Sequence, residues 1–121
     1  MTTFTEGPGS AGYLISESNG TRSREVVTLL AGNKLLPGTV LGRITASDKY
    51  TQVNPVATDG SEKAAAVLFS AVDATSADHA AVVTARDAEV AAAALILPAT
   101  ATTPQKTAAL DQLASIGIVA R

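Results

Sequence analysis

Residues 12–30 read GYLISESNGTRSREVVTLL, and they join a polar, glycine-rich leader to the part of the chain able to fold. Tyr13, Leu14 and Ile15 are apolar, the following residues through Glu25 are almost all polar, and Val26, Val27, Leu29 and Leu30 are apolar again. Asn19-Gly20 lies midway and is a strong turn dipeptide, because both residues tolerate the positive φ of a tight hairpin turn. The first half can fold back on the second as a hairpin, or it can lend its edge to another chain. Only the residues after Glu25 have sequence neighbours able to bury them. The stretch therefore divides near Arg24 into a partner-seeking half and the first strand of a body, with Asn19-Gly20 expected to direct the arm outward.

Toward the N-terminus, residues 1–12 are MTTFTEGPGSAG, with Phe4 as the bulky apolar side chain among three glycines and a proline. So little apolar surface does not offset the entropy of ordering the chain, so this segment is expected to be a mobile arm.

Toward the C-terminus the pattern changes. EVVTLL at 25–30 is rich in β-branched residues and reads as a strand, closed by a turn at Ala31-Gly32-Asn33-Lys34. Pro37-Gly38 is in the order a type II turn prefers. The next strand, 39–45, alternates Val40 and Gly42 against Leu41 and Arg43, which implies partial burial on both faces. Residues 46–49 reverse the chain into 50–53 and complete a hairpin, and 54–63 form a loop. The apolar run AAAVLFSAV at 64–72 reads as a central strand, with HAAVVTAR at 79–86 as its antiparallel neighbour. The alanine-rich segment 90–97 is ambiguous, with Asp87 placed to cap a helical turn and Pro98 to end it. A helix is clearest at 104–115: Thr103 can serve as N-cap, Pro104 opens the first turn, and Gly117 stands where a left-handed terminator belongs. Leu110, Leu113 and Ala114 would line its buried face with Lys106 at the edge, and IGIV at 116–119 reads as a last strand. The expected fold is α+β, mainly β: a small β-rich, barrel-like body over 25–121 with one helix in its C-terminal region, and an extended N-terminal arm over 1–24.

Composition bounds the function. A chain of 121 residues holds one core, and with 46% apolar but only 3% aromatic residues that core is built from small aliphatic side chains and gains from association. The net charge of -2 gives no basic footprint, which argues against direct nucleic-acid binding. There is no cysteine, hence no disulfide, thiolate nucleophile or cysteine metal site. No apolar run approaches a membrane span, and the first 30 residues lack a signal-peptide pattern, so a soluble protein used without secretion or a membrane is expected. His79 has no serine or carboxylate partner by spacing, and the loop carboxylates Asp59, Glu62, Asp73, Asp78 and Asp87 have no EF-hand spacing. Asn19-Gly20-Thr21 matches a glycosylation sequon, which matters only in a secretory pathway, and the glycines form no phosphate-binding pattern. No catalytic residue, cofactor or metal is expected, and the chain reads as non-enzymatic.

Two readings of a known family follow from local blocks. Ser47-Asp48-Lys49-Tyr50 at a hairpin tip resembles the modified lysine of lipoyl and biotinyl carrier domains, which makes Lys49 the modified residue of that alternative. Those domains set the lysine between two similar halves, and no matching second half is present. The blocks Tyr13-Leu14-Ile15-Ser16-Glu17, Arg22-Ser23-Arg24-Glu25, Leu36-Pro37-Gly38-Thr39-Val40-Leu41-Gly42, Ala57-Thr58-Asp59-Gly60-Ser61, Ala71-Val72-Asp73-Ala74-Thr75, Ala85-Arg86-Asp87-Ala88-Glu89-Val90 and residues 113–121 together resemble the head decoration proteins of lambda-like tailed phages and prophages. The resemblance implies a trimeric cementing protein on the outer surface of the virion capsid, present in the host cytoplasm during assembly. It implies a homotrimer at three-fold positions of the expanded head, bound to the major capsid protein and holding the shell against packaged DNA. The arm would supply the contact: its backbone adds a strand to the capsid while Phe4, Tyr13, Leu14 and Ile15, with Ser16 and Glu17, contact the partner. Three arms on one trimer bind with avidity.

Overall fold

A computed structural model describes residues 14–17 and 23–121. Ten strands and one α-helix follow in chain order: β1 Leu14–Glu17, β2 Arg24–Leu29, β3 Asn33–Leu35, β4 Val40–Arg43, β5 Tyr50–Gln52, β6 Ala64–Leu68, β7 Val72–Ala74, β8 His79–Thr84, β9 Ala88–Val90, α1 Thr103–Ser115 and β10 Ile118–Ala120. Five of the strands close a barrel in the order β2-β5-β4-β6-β8, a β1-β9-β10 sheet lies apart from it, and β3 and β7 pair as a two-stranded ribbon. The mainly β body with a closed barrel and one helix near the C-terminus is the expected architecture.

The alternation of β4 and β6 explains why so small a core suffices. Leu41 of β4 with Ala66 and Leu68 of β6 join Leu29 and Val83, whereas Val40 and Val67 on the opposite faces join Val53, Val90, Leu113 and Ile118. These two strands are thus a shared wall, with one cluster inside the barrel and the other between the barrel, α1 and the outer sheet. Burial on both faces is why β4 is buried at three of its four positions.

Most turns follow their chemistry. Gly38 has φ 92°, and Thr39 N–H donates to the Leu36 carbonyl at 3.2 Å, the closure of a type II turn around Pro37-Gly38. The β4–β5 hairpin forms as expected, with Leu41 opposite Gln52 and Arg43 opposite Tyr50. Helix α1 is held by a reciprocal cap: Gln105 N–H donates to Thr102 Oγ1 at 3.3 Å, and Thr102 N–H donates to Gln105 Oε1 at 2.8 Å. Gln112 Oε1 accepts the Ala64 N–H at 2.7 Å and ties the helix to the barrel wall.

Several local expectations are corrected. The N-cap is Thr102, one residue before Thr103, because Gln105 completes a capping box there. Ala109 and Leu113 are the helix's buried residues and Ala114 is exposed, a rotation set by docking on β6 and β10. Asp87 caps no helix; it adopts φ 52° in the turn before β9, against Gly117, whose added Cβ would lie 3.1 Å from Asp87 N. The apolar run at 64–72 divides into β6 and β7 around Phe69-Ser70-Ala71, and β7 finds its partner in β3, inside what sequence reads as a turn. Strand β8 does neighbour β6, yet its long ladder is with β2, from Arg24 opposite Thr84 to Leu29 opposite His79. The last strand begins at Ile118, after the glycine that ends α1.

Candidate functional site

Strand β1 carries the first site to consider. Leu14 lies opposite Val90, Ser16 opposite Glu89 and Glu17 opposite Ala88, with an irregularity between Leu14 and Ser16. The half-buried Leu14 packs against the outer cluster beside Leu95, Leu97 and Leu110. Strand β9 also pairs in parallel with β10, so β1 is the outermost strand of its sheet. Among the described residues, no strand pairs with the other edge of β1. Its N–H and C=O groups there are a template for an added strand. Of the residues read as capsid contacts, Leu14, Ile15, Ser16 and Glu17 therefore lie together on this edge strand, while Phe4, Tyr13 and the Asn19-Gly20 turn fall outside the described residues. The in-chain partner of β1 is β9 and not 22–30. That pairing had no signal in sequence, because Ala88-Glu89-Val90 is three residues long and distant in the chain.

The titratable groups serve the loops. Asp78 accepts the Ala31 N–H at 2.8 Å and lies 2.6 Å from Lys49 Nζ, so it staples the β4–β5 hairpin tip to the turn after β2. The Lys49 bond, then the Ala31 amide, hold the Asp78 carboxyl below the usual carboxylate range. Ser61 lowers Asp59 through its hydroxyl and then its amide, and Thr75 does the same for Asp73. His79 is exposed, with Nδ1 2.8 Å from the Ala80 carbonyl. Among the described residues no group of three or more His, Cys, Asp or Glu comes together at metal-binding range, and no helix is long and apolar enough to cross a membrane. Lys49, the modified residue of the carrier-domain alternative, is half-buried and occupied by its ion pair rather than presented on a free tip.

Two hollows were not legible in sequence because their walls come from distant segments. An open groove of about 690 Å3 is lined by Arg43, Tyr50, Asp59, Glu62 and Lys63 among others. A smaller slot of about 150 Å3 lies between α1 and the loop after β5. Burial, then the Glu25 charge, push the Tyr50 hydroxyl up, so it stays a neutral donor at physiological pH. Elsewhere the Arg24 guanidinium sits 4.2 Å over the Phe69 ring, and Val26 on the same strand as Arg24 is 68% exposed.

The chain is thus a small closed β-barrel with an edge strand unpaired among the described residues and loop carboxylates spent on turns. The family profile described as bacteriophage lambda head decoration protein D matches residues 3–118, and the chain belongs to that family. Membership gives it a structural role on the phage head, in a class of proteins that are not enzymes. No curated protein matches the chain significantly.

Proposed function

We propose that the chain cements the expanded phage head from its outer surface, as a homotrimer at three-fold positions, and that its N-terminal arm pairs with the major capsid protein. The observation that carries this reading is the place of β1. It stands at the rim of its sheet, within the 1–24 arm, and a capsid strand added to its outer edge would be recognised through main-chain hydrogen bonds. The net charge of -2 suits a partner that is protein and not DNA.

Binding of the chain lacking residues 1–17 to expanded capsids tests this. That truncation removes β1 with the leader before it, while every strand of the closed barrel lies after it. Loss of capsid binding with unfolding still cooperative is expected, and full retained binding refutes the arm's role. Electron microscopy of decorated and bare heads should show added density at the three-fold positions.

A further inference from the structure

Four of the five pairings that close the barrel are antiparallel: β2 with β8, β8 with β6, β6 with β4 and β4 with β5. The fifth, between β2 and β5, is parallel and holds a single register pair, Leu29 opposite Tyr50, against six between β2 and β8. Parallel ladders are slightly less stable per residue, so this seam is weak in both type and length. It is short because β5 ends at Gln52: the Val53 N–H turns to the Val40 carbonyl at 3.0 Å, and Pro55 soon follows. Among the described residues, 24–28 have β8 on one side and no strand on the other. Beyond the register pair, the Leu30 N–H donates across the seam to the Tyr50 carbonyl at 2.8 Å. Side chains supply the rest. Asp78, just before β8, accepts the Ala31 N–H at 2.8 Å and lies 2.6 Å from Lys49 Nζ at the hairpin tip, so this pair ties the β8 side of β2 to the β5 side. Thr51 Oγ1 donates to Asn33 Oδ1 at 3.3 Å. The β4–β5 hairpin is itself a firm unit, because its strands share three register pairs and its tip is closed by Ile44 N–H to the Lys49 carbonyl and Asp48 N–H to the Ile44 carbonyl, both at 2.8 Å. Behind the seam lie Leu29, wholly buried in the inner cluster, and the half-buried Tyr50. Arg43 and Tyr50 also line the open groove, so water already reaches one flank of the seam.

We infer that the β2–β5 seam is the gate of the barrel and that the Lys49–Asp78 pair, anchored on the Ala31 amide, is its latch. With the latch undone, the β4–β5 hairpin lifts from β2 as one piece while the β2–β8 and β4–β6 ladders stay formed. Opening bares the facing edges of β2 and β5 and uncovers Leu29. The gate is therefore a point at which binding can act: a partner that grips both walls holds it shut, and one that pairs with the bared edges holds it open. It is built wholly from the body of the chain and does not depend on the capsid reading.

Native-state hydrogen exchange of the full chain tests this. The Leu30 amide should exchange through a shallow opening that hardly responds to low urea. The Phe69 amide, bonded to the Val82 carbonyl at 2.9 Å on the far side of the barrel wall, should exchange only with global unfolding and follow its full urea dependence. Lys49→Met keeps an unbranched stem and removes the ammonium, and Leu30 exchange should then rise about two- to fivefold, the worth of a partly exposed ion pair. A tether gives a second measurement, since the chain has no cysteine. Leu30→Cys with Thr51→Cys, one residue on from the Leu29–Tyr50 pair, sets two thiols on paired strands about 4.8 Å apart, within disulfide range. Oxidation should slow exchange at position 30 to the level of Phe69, and reduction should restore it. A Leu30 amide as protected as that of Phe69 with the same urea slope, or exchange at position 30 that stays fast in the oxidised protein, overturns the gate. Unchanged Leu30 exchange in Lys49→Met overturns the latch.

Discussion

Gly42→Ala probes the tightest approach in the barrel wall. The turn at Gly60-Ser61 crosses directly over Gly42, where β4 slips register against β6. A methyl group there would collide with the Ser61 carbonyl oxygen and lie 2.7 Å from Ser61 Cα, and because the obstacle is main chain no rotamer change relieves it. The same carbonyl accepts the Asn54 N–H at 2.9 Å, so moving it away also strains a bond that closes the 54–63 loop. Overpacking of this kind costs about 1–3 kcal/mol. Weakening the hydrogen bond adds about 1 kcal/mol. The expected loss of about 2–4 kcal/mol corresponds to a fall in Tm of about 8–16 °C at roughly 4 °C per kcal/mol. Thermal unfolding followed by far-UV circular dichroism reads the shift, with urea unfolding to check that the m value is unchanged. Gly32→Ala is the control: it has open space around it but φ +96°, so only the left-handed backbone cost of about 1 kcal/mol applies. A Gly42→Ala protein no less stable than Gly32→Ala would refute the close-approach reasoning.

The other expectations follow from single contacts. Leu113→Ala removes a side chain with no exposed surface from the outer cluster and should cost about 2–5 kcal/mol in urea unfolding. Thr102→Ala breaks one half of the capping box and should cost about 1 kcal/mol, with the helical signal retained. Asp78→Asn should flatten the acid limb of the stability profile. The Asp78 carboxyl is depressed in the folded state, so its contribution is full above the ordinary value of 3.8 and is lost as pH falls through the lower folded value. Unfolding midpoints of parent and variant should converge below that range, and a constant gap at every pH would count against the staple.

Sequence revealed those elements whose cause is local. The β4–β5 hairpin is set by alternation and turn residues, the Pro37-Gly38 turn by backbone chemistry, and α1 by its caps and by Leu113. What stayed hidden depends on partners far along the chain. Asn33–Leu35 looks like a turn until Val72–Ala74 is placed beside it, and Asp87 looks like a cap until Gly117 approaches it. The cap shifted by one residue because Thr102 and Thr103 are equivalent hydroxyls, and only Gln105 three positions on distinguishes them. For the site, Leu14–Glu17 was legible as an extended segment, but the two hollows were not, since Arg43, Lys63, Leu97 and Ala108 meet only through the closed barrel and the docked helix.

The short strands of the outer sheet bear on how such a protein would hold a shell. Strand β1 is tied to β9 by three register pairs, and β9 to β10 by three more. Val90 of β9 then packs with Val40 and Val67 of the shared barrel wall. A strand added to β1 is therefore coupled through two ladders and a buried side chain to the barrel, rather than hanging from a linker. A partner that adds only four residues of ladder gains few net hydrogen bonds, each worth about 1 kcal/mol, before the entropy of ordering is subtracted. One such edge binds weakly. Several presented at once on a rigid body bind tightly without any new contact, because the second and third associations are intramolecular. If the chain acts as the proposed homotrimer, an obligate monomeric variant should lose far more capsid binding than the loss of any single edge contact would remove.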